Sequence, residues 1–169
     1  MRPVGHRVVA EQPVPLDDRG LHQLGERLRR RAEVGDAGAP EAWWDGRPFD
    51  RILADVPCTA EGRIDLSDPR SFTFWSQKNI TEHAKLQRRL LRSAFKMLKP
   101  GGTLVYSTCT LAPEENEEQM KWFVEEHPSL KIEPITLPVS PVRPTKYGTI
   151  ILPSADCEGF FVAKLKRME

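Results

Sequence analysis

One long amphipathic helix pattern between two short apolar runs constrains the fold of this chain more than any other feature. The runs are FDRILAD at residues 49–55 and TLVYST at residues 103–108, and both have the composition of strands buried in a sheet. Between them, residues 82–98 place apolar side chains every three or four positions, and the sequence KPGG then ends the helix. A strand, a helix and a strand in this order predict two parallel strands joined by a right-handed crossover.

The segments around this unit extend it into an α/β fold. Residues 113–127 predict a helix rich in early glutamates, and residues 147–167 predict two strands joined as a hairpin. The connection at residues 64–81 is predicted to hold one short helical turn, with Ser76 or Thr81 capping the helix that follows. We therefore expect a mostly parallel sheet with an antiparallel hairpin at its C-terminal edge.

The first third of the chain and a later proline-rich stretch are less regular. Residues 8–16 predict a short strand interrupted by prolines, residues 19–34 a helix with a basic end, and residues 35–48 a loop. Six prolines between Pro128 and Pro153 indicate a loop-rich connection rather than a second folded unit.

Composition narrows the class of protein. The chain has 169 residues, 39% of them hydrophobic, which suits one compact domain, and its net charge of +1 leaves any nucleic acid to be held by a local basic surface. The apolar runs are too short for a membrane span or a signal peptide. Three cysteines without CxxC spacing argue against a disulfide framework and a zinc site, and favour a reducing, cytoplasmic compartment.

Two of these cysteines follow predicted strands. Cys58 comes three residues after the strand that ends at Asp55, and Cys109 comes directly after the strand at residues 103–108. Because ligands of open α/β sheets bind at the carboxyl ends of the strands, both thiols are expected to face one crevice. A thiolate is a strong nucleophile, so the pattern suits covalent catalysis, although either cysteine alone would more often be a packing residue.

At these residues the sequence resembles a known family. DRILADVPCTAEG and KPGGTLVYSTCTLAPEENE closely resemble two signatures of the Sun/Fmu-type RNA (cytosine-5) methyltransferases, and WWDGRPFDRIL and DCEGFFVAKLK extend the resemblance over residues 35–169. It implies a Rossmann-like fold, S-adenosylmethionine as cofactor, and methylation of a cytosine in rRNA or tRNA. Residues 35–169 would then be the C-terminal portion of a catalytic domain, and residues 1–34 a divergent leader.

The resemblance also implies a role for each residue at the crevice. Cys109 would attack carbon 6 of the cytosine, which activates carbon 5 to accept the methyl group. Cys58 would help to remove the carbon 5 proton so that Cys109 can leave, and Asp55 would hydrogen-bond the base beside the cofactor. The base has to be single-stranded or flipped out of its helix to be reached.

The cofactor site is less complete in this sequence. VGDAGAP resembles the segment that binds the adenine end, which implies Asp36 as a contact, although a turn aspartate fits the same residues. Asp17 or Asp18 would be the candidate for the cofactor ribose. The family's glycine-rich loop, Ala-Ala-Pro-Gly-Gly-Lys, is missing, since the double glycine Gly101-Gly102 belongs to the later helix–strand turn.

This departure keeps other functions open. The missing loop favours, as an alternative, a catalytically inactive fragment that binds RNA or a protein, and a protein partner could supply the missing cofactor-binding part. Two neighbouring thiols would also suit a redox pair, but the sequence has no CxxC motif.

Other residues carry weaker signals. A row of basic side chains on one face of the predicted helix would contact phosphates or form a solvated face: Lys85, Arg89, Arg92, Lys96 and Lys99. Aromatic side chains in predicted loops would stack on bases, with core packing as the alternative for Trp44 and Trp75: Trp43, Trp44, Phe72, Phe74 and Trp75. No chemistry is assigned to Cys157, and surface positions are expected for His83 and His127.

Overall fold

The computed structural model describes residues 7–11, 38–155 and 157–169. Its helices are α1 (Gln77–Met97) and α2 (Glu117–Glu126), with short 3₁₀ helices at Pro40–Ala42, Glu61–Arg63, Pro69–Phe72 and Pro113–Glu115. Its strands, in chain order, are β1 (Arg7–Glu11), β2 (Phe49–Asp55), β3 (Leu98–Thr108), β4 (Leu130–Glu133), β5 (Val142–Pro144), β6 (Thr149–Ile151) and β7 (Phe160–Arg167).

The predicted strand–helix–strand unit is confirmed. β2 covers the predicted residues 49–55, α1 follows it, and β3 pairs with β2 in parallel so that Asp55 lies opposite Ser107. The second strand is longer than predicted, because it begins at Leu98 and already includes the KPGG sequence that ends the helix.

The start of α1 is fixed by Ser76, one of the two predicted caps. Its hydroxyl accepts a hydrogen bond from the Asn79 N–H at 3.1 Å and so satisfies a donor that has no partner within the helix. Thr81, the other candidate, lies inside the helix, where its hydroxyl donates to the Gln77 carbonyl at 3.0 Å. The short helical turn predicted before this helix is the 3₁₀ helix Pro69–Phe72.

The sheet is mixed, which corrects the prediction of a mostly parallel one. The described strands follow the order β1-β2-β3-β7-β6-β5, and β4 also pairs with β7. Of the strand pairs that the structure describes, β2–β3 is parallel and the others are antiparallel. A parallel neighbour needs a long crossover such as α1, whereas the confirmed hairpin of β6 and β7 needs only the shorter connection at residues 152–159. The α/β architecture itself is as predicted.

Helix α1 covers the sheet with its apolar face. Leu90, Leu91, Ala94 and Met97 are buried against the core formed with the inward side chains of β2, β3 and β7. Burying one large aliphatic side chain contributes about 1.5–3 kcal/mol, so this face fixes α1 firmly on the two strands that it connects. The carboxyl ends of β2 and β3 are thereby held at one place.

The predictions for the N-terminal third and for the proline-rich connection are confirmed only in part. A strand is present near the N-terminus, where β1 pairs antiparallel with β2, but the helix predicted at residues 19–34 lies outside the described residues. The domain boundary after residue 34 stays a prediction. The proline-rich connection holds β4 and β5, which the sequence did not indicate. Within the described part of the chain, no helix is long and apolar enough to cross a membrane.

Candidate active site

The two cysteines expected to share a crevice are in contact. Because β2 and β3 are parallel neighbours, the chain leaves both strands at the same edge of the sheet, just before Cys58 and Cys109. The two Sγ atoms are 3.3 Å apart, and both thiols are free and half-buried. The fold therefore brings two sulfur atoms from distant parts of the sequence to one point.

Contact between the thiols makes them unequal acids. The hydrogen bond with Cys58 lowers the pKa of Cys109 to about 7; the positive Arg63 acts in the same direction, while burial and the charge of Asp55 oppose it. The same hydrogen bond, together with burial, raises the pKa of Cys58. At neutral pH, Cys58 thus keeps its proton and donates an S–H hydrogen bond, and Cys109 is the sulfur that carries the negative charge.

A close backbone contact holds the loop after Cys58 against Cys109. The Gly62 N–H donates to the Cys109 carbonyl at 2.9 Å, and the Gly62 carbonyl accepts from the Gly159 N–H at 3.0 Å. A Cβ atom on Gly62 would lie 2.0 Å from the Gly159 carbonyl oxygen, which excludes any side chain there. The sharp turn itself is made by Ala60, whose φ is 53°, so Gly62 serves the close approach and not the turn.

Asp55 lies at the same edge of the sheet. It is exposed, and its Oδ1 accepts a hydrogen bond from the Ser107 hydroxyl at 3.0 Å. The neighbouring strand thus orients the carboxylate while leaving it accessible to a ligand in the crevice.

A buried carboxylate beneath the cysteines, that of Glu115, was not among the predicted site residues. It is 0% exposed and accepts hydrogen bonds from the N–H and hydroxyl of Thr59 and from the side-chain amide of Gln87. Burial raises the pKa of Glu115, and these donors oppose the rise. The helix pattern predicts the same role for every glutamate of PEENE, that of a charge at a helix start. No local signal singles out Glu115, because its carboxylate contacts Thr59 and Gln87, which are 56 and 28 residues away in the sequence.

The predicted cofactor residues are only partly placed. Asp36, Asp17 and Asp18 lie outside the described residues. Gly101 and Gly102 lie near the amino end of β3, at the opposite end of the strand from Cys109. This double glycine therefore does not line the crevice.

The predicted basic row is paired with carboxylates, which favours the solvated-face interpretation; its last member, Lys99, lies in β3 and not in α1. Four of its members pair as follows: Lys85 with Glu82 at 2.9 Å, Arg92 with Glu126 at 2.9 Å, Lys96 with Glu41 at 4.0 Å, and Lys99 with Asp50.

The aromatic candidates divide into two groups. Trp43 and Trp44 are half-buried against the core, whereas Phe72, Phe74 and Trp75 are 36%, 45% and 46% exposed. Core packing is therefore wrong for Trp75, whose indole N–H donates to Glu61 at 2.6 Å, in the 3₁₀ helix that follows Cys58. The exposed group keeps base stacking as its predicted role.

The third cysteine and two histidines lie outside these groups. Cys157 lies in the β6–β7 hairpin, with its Sγ 3.4 Å from the Ser154 hydroxyl. His127, expected at the surface, is half-buried, and its ring stacks on Phe95 with centroids 3.9 Å apart. His83 is half-buried and bonds to the Asn79 carbonyl.

Comparison with known proteins gives consistent matches. A family model described as 16S rRNA methyltransferase RsmB/F matches residues 15–166. Ribosomal RNA small subunit methyltransferase B of Klebsiella pneumoniae is 39% identical over 157 residues, and methyltransferase F of Cronobacter sakazakii is 44% identical over 154 residues. The crystal structure of NSun6 from Pyrococcus horikoshii with SFG superposes with a TM-score of 0.64 at 32% identity. This match supports the predicted Rossmann-like methyltransferase fold.

The matches cover most of this chain but a smaller share of each relative. They span 90%, 88% and 85% of the chain, against 35%, 30% and 36% of the Klebsiella, Cronobacter and Pyrococcus proteins. The chain thus spans about a third of the length of the relatives it matches.

Proposed function

The chain belongs to the RsmB/F family of 16S rRNA methyltransferases, and on that premise we propose that it methylates carbon 5 of a cytosine in rRNA or tRNA. The observation that carries this proposal is the pair of sulfur atoms 3.3 Å apart, one of which has its pKa lowered to about 7. One thiolate to attack and one thiol beside it are the two groups that a covalent route to 5-methylcytosine requires.

Cys109 starts the reaction. Its thiolate attacks carbon 6 of the cytosine, so that a carbon–sulfur bond forms and electron density moves to carbon 5. The lowered pKa of Cys109 keeps a useful fraction of thiolate at neutral pH without a separate general base.

Cys58 completes it. After carbon 5 carries the methyl group, its remaining proton has to be removed before the bond between carbon 6 and Cys109 can break. Once Cys109 is bonded to carbon 6, it no longer provides the hydrogen bond and the negative charge that raise the pKa of Cys58. The Cys58 thiol can then release its proton to solvent, and its thiolate, which lies beside Cys109, can accept the proton from carbon 5. The electrons of the broken carbon 5–hydrogen bond restore the ring double bond as the thiolate of Cys109 leaves.

The cofactor, S-adenosylmethionine, would supply the methyl group from its sulfonium centre. A contact with Asp55 is supported by its exposed carboxylate, which lies at the carboxyl end of β2, the edge at which ligands of such sheets bind. The carboxylate suits a cationic ligand and can also accept hydrogen bonds from the cytosine amino group. Asp36 remains a further proposed contact at the adenine end.

A covalent-trapping experiment tests this function. The chain is incubated with S-adenosylmethionine and an rRNA or tRNA fragment, and protein–RNA adducts are resolved on a denaturing gel. Cys58→Ala should accumulate an adduct because release is blocked, whereas Cys109→Ala should give none. Cys157→Ser is the matched control, since its sulfur lies in the hairpin, and it should turn over without accumulating adduct.

The same experiment distinguishes the alternative function. An inactive RNA-binding fragment, which the absent glycine-rich loop favours, would bind RNA equally well with or without cofactor and would give no adduct in any variant. The absence of an adduct with Cys58→Ala, on an RNA that another member of the family methylates, would reject the proposed function for this chain.

A further inference from the structure

The carboxylate of Glu115 is buried without being part of the reacting pair. Burying a carboxylate costs free energy unless several hydrogen-bond donors compensate for the lost water. The donors that contact the fully buried Glu115 therefore indicate which parts of the site it stabilises. Glu115 ends the 3₁₀ helix Pro113–Glu115, directly before α2, and the described contacts of its carboxylate go to neighbours of the cysteines and not to the sulfur atoms.

The first set of contacts holds the loop of Cys58 on both sides. Thr59, the residue after Cys58, donates its backbone N–H to the two carboxylate oxygens at 3.3 and 3.2 Å and its hydroxyl to Oε1. Gln87 of α1 donates its side-chain amide to Glu115 at 2.7 Å and to the Pro57 carbonyl, just before Cys58, at 2.9 Å. The buried carboxylate thus fixes the loop to helix α1.

The second set of contacts reaches Cys109. The hydroxyl of Thr59 lies 3.0 Å from that of Thr110, the residue after Cys109. The Glu115 carbonyl accepts the Tyr106 hydroxyl from β3 at 2.7 Å. Glu115 therefore holds the end of β3 through its carbonyl. Through its carboxylate and the Thr59–Thr110 contact, it also holds the residue that follows each cysteine.

We propose that Glu115 is a positioning residue that sets the distance between the thiols of Cys58 and Cys109 through the Thr59–Thr110 contact. This inference deepens the proposed function and rests on it for its catalytic meaning. The geometric claim, that Glu115 keeps the two sulfur atoms in contact, has its own test, which needs neither RNA nor cofactor.

The test is the rate of oxidative cross-linking between the two thiols. Diamide takes up two electrons and two protons as one sulfur–sulfur bond forms, and peptide mass spectrometry identifies the Cys58–Cys109 product. Glu115→Gln keeps the size of the side chain but loses its charge, and the new NH₂ group would face the donors of Thr59 or Gln87. We expect cross-linking to slow by about tenfold, as for the loss of one charged buried hydrogen bond.

Glu114→Gln is the matched control. It is the same change one residue earlier, at a carboxylate that accepts from Gln77 at 3.2 Å and does not contact the Thr59–Thr110 pair. Its cross-linking rate should equal that of the unmodified chain. In Glu115→Gln, but not in the control, the pKa of Cys109 should also rise as its contact with Cys58 loosens, while alkylation of Cys157 stays unchanged.

Equal cross-linking rates and equal Cys109 titrations in the two variants would overturn the proposal. If Glu115→Gln does not fold, Thr59→Val tests the proposal instead, because it removes only the hydroxyl that lies between Glu115 and Thr110. Thr59→Val should slow cross-linking in the same way. Fast cross-linking in the unmodified chain without any RNA adduct in Cys58→Ala would contradict the proposed function and leave the positioning role intact.

Discussion

At the scale of single residues, one shared proton decides which sulfur is the nucleophile. Cys58, whose pKa is raised, is the thiol that keeps the proton, and Cys109, whose pKa is lowered, is the acceptor; the positive Arg63 further stabilises the Cys109 thiolate. The pKa of Cys109 is therefore below its ordinary value, so its thiolate is present above about pH 7 and is lost as the pH falls below that value.

Removing the donor should reverse this effect. In Cys58→Ala we expect the pKa of Cys109 to rise towards the ordinary thiol value, so that alkylation by iodoacetamide needs a higher pH. In Cys58→Ser, which keeps a hydroxyl donor, the rise should be smaller. The measurement is the alkylation rate of Cys109 between about pH 5 and 10, read by peptide mass spectrometry. Identical midpoints in the alanine and serine variants would refute the assignment of Cys58 as donor.

At the scale of elements, the periodicity of the sequence predicted those helices and strands whose pattern lies within one segment. The limits of β2, the helix over α1 and the C-terminal hairpin follow from spacing and breakers that lie within each segment. The direction of most strand pairs did not follow from the sequence, because the paired residues of β3 and β7 are 53 to 63 positions apart in the chain. The cysteine pair was predictable from strand ends, whereas the role of Glu115 depends on Thr59 and Gln87, whose approach no local pattern indicates.

The apolar face of α1 gives a prediction at this scale. Leu91 is fully buried, so Leu91→Ala should lower the free energy of unfolding by about 2–5 kcal/mol through lost burial and a cavity. The matched control is Leu66→Ala, since that side chain is 86% exposed, and its effect should stay within about 0.5 kcal/mol. Urea denaturation measures both, and similar losses in the two variants would contradict the described packing of α1.

At the scale of the whole molecule, the site joins parts of the chain that are far apart in sequence. Gly62 connects Cys109 to Gly159 through consecutive backbone hydrogen bonds, so the C-terminal hairpin forms one wall beside the cysteines. A change in the hairpin is therefore expected to reach the thiols.

Gly62→Ala tests this connection. Its Cβ would meet the Gly159 carbonyl at 2.0 Å, so the two loops have to separate, and we expect a loss of about 1–3 kcal/mol or more in unfolding free energy. Gly38→Ala is the control, because the three atoms nearest to its Cβ would all belong to the side chain of Arg89, which can move away. Thermal unfolding and the Cys109 alkylation profile report the two effects, and an unchanged profile in Gly62→Ala would argue against the connection.

The position of β7 has a consequence for synthesis of the chain. β7 lies between β3 on one side and β4 and β6 on the other, yet it is the last described strand to leave the ribosome. At about 5–20 residues per second, the nascent chain spends several seconds with the edge of β3 unpaired after Cys109 has been made. During that interval an open strand edge is available to other chains, so chaperone binding to this protein should be concentrated before translation of β7 is complete.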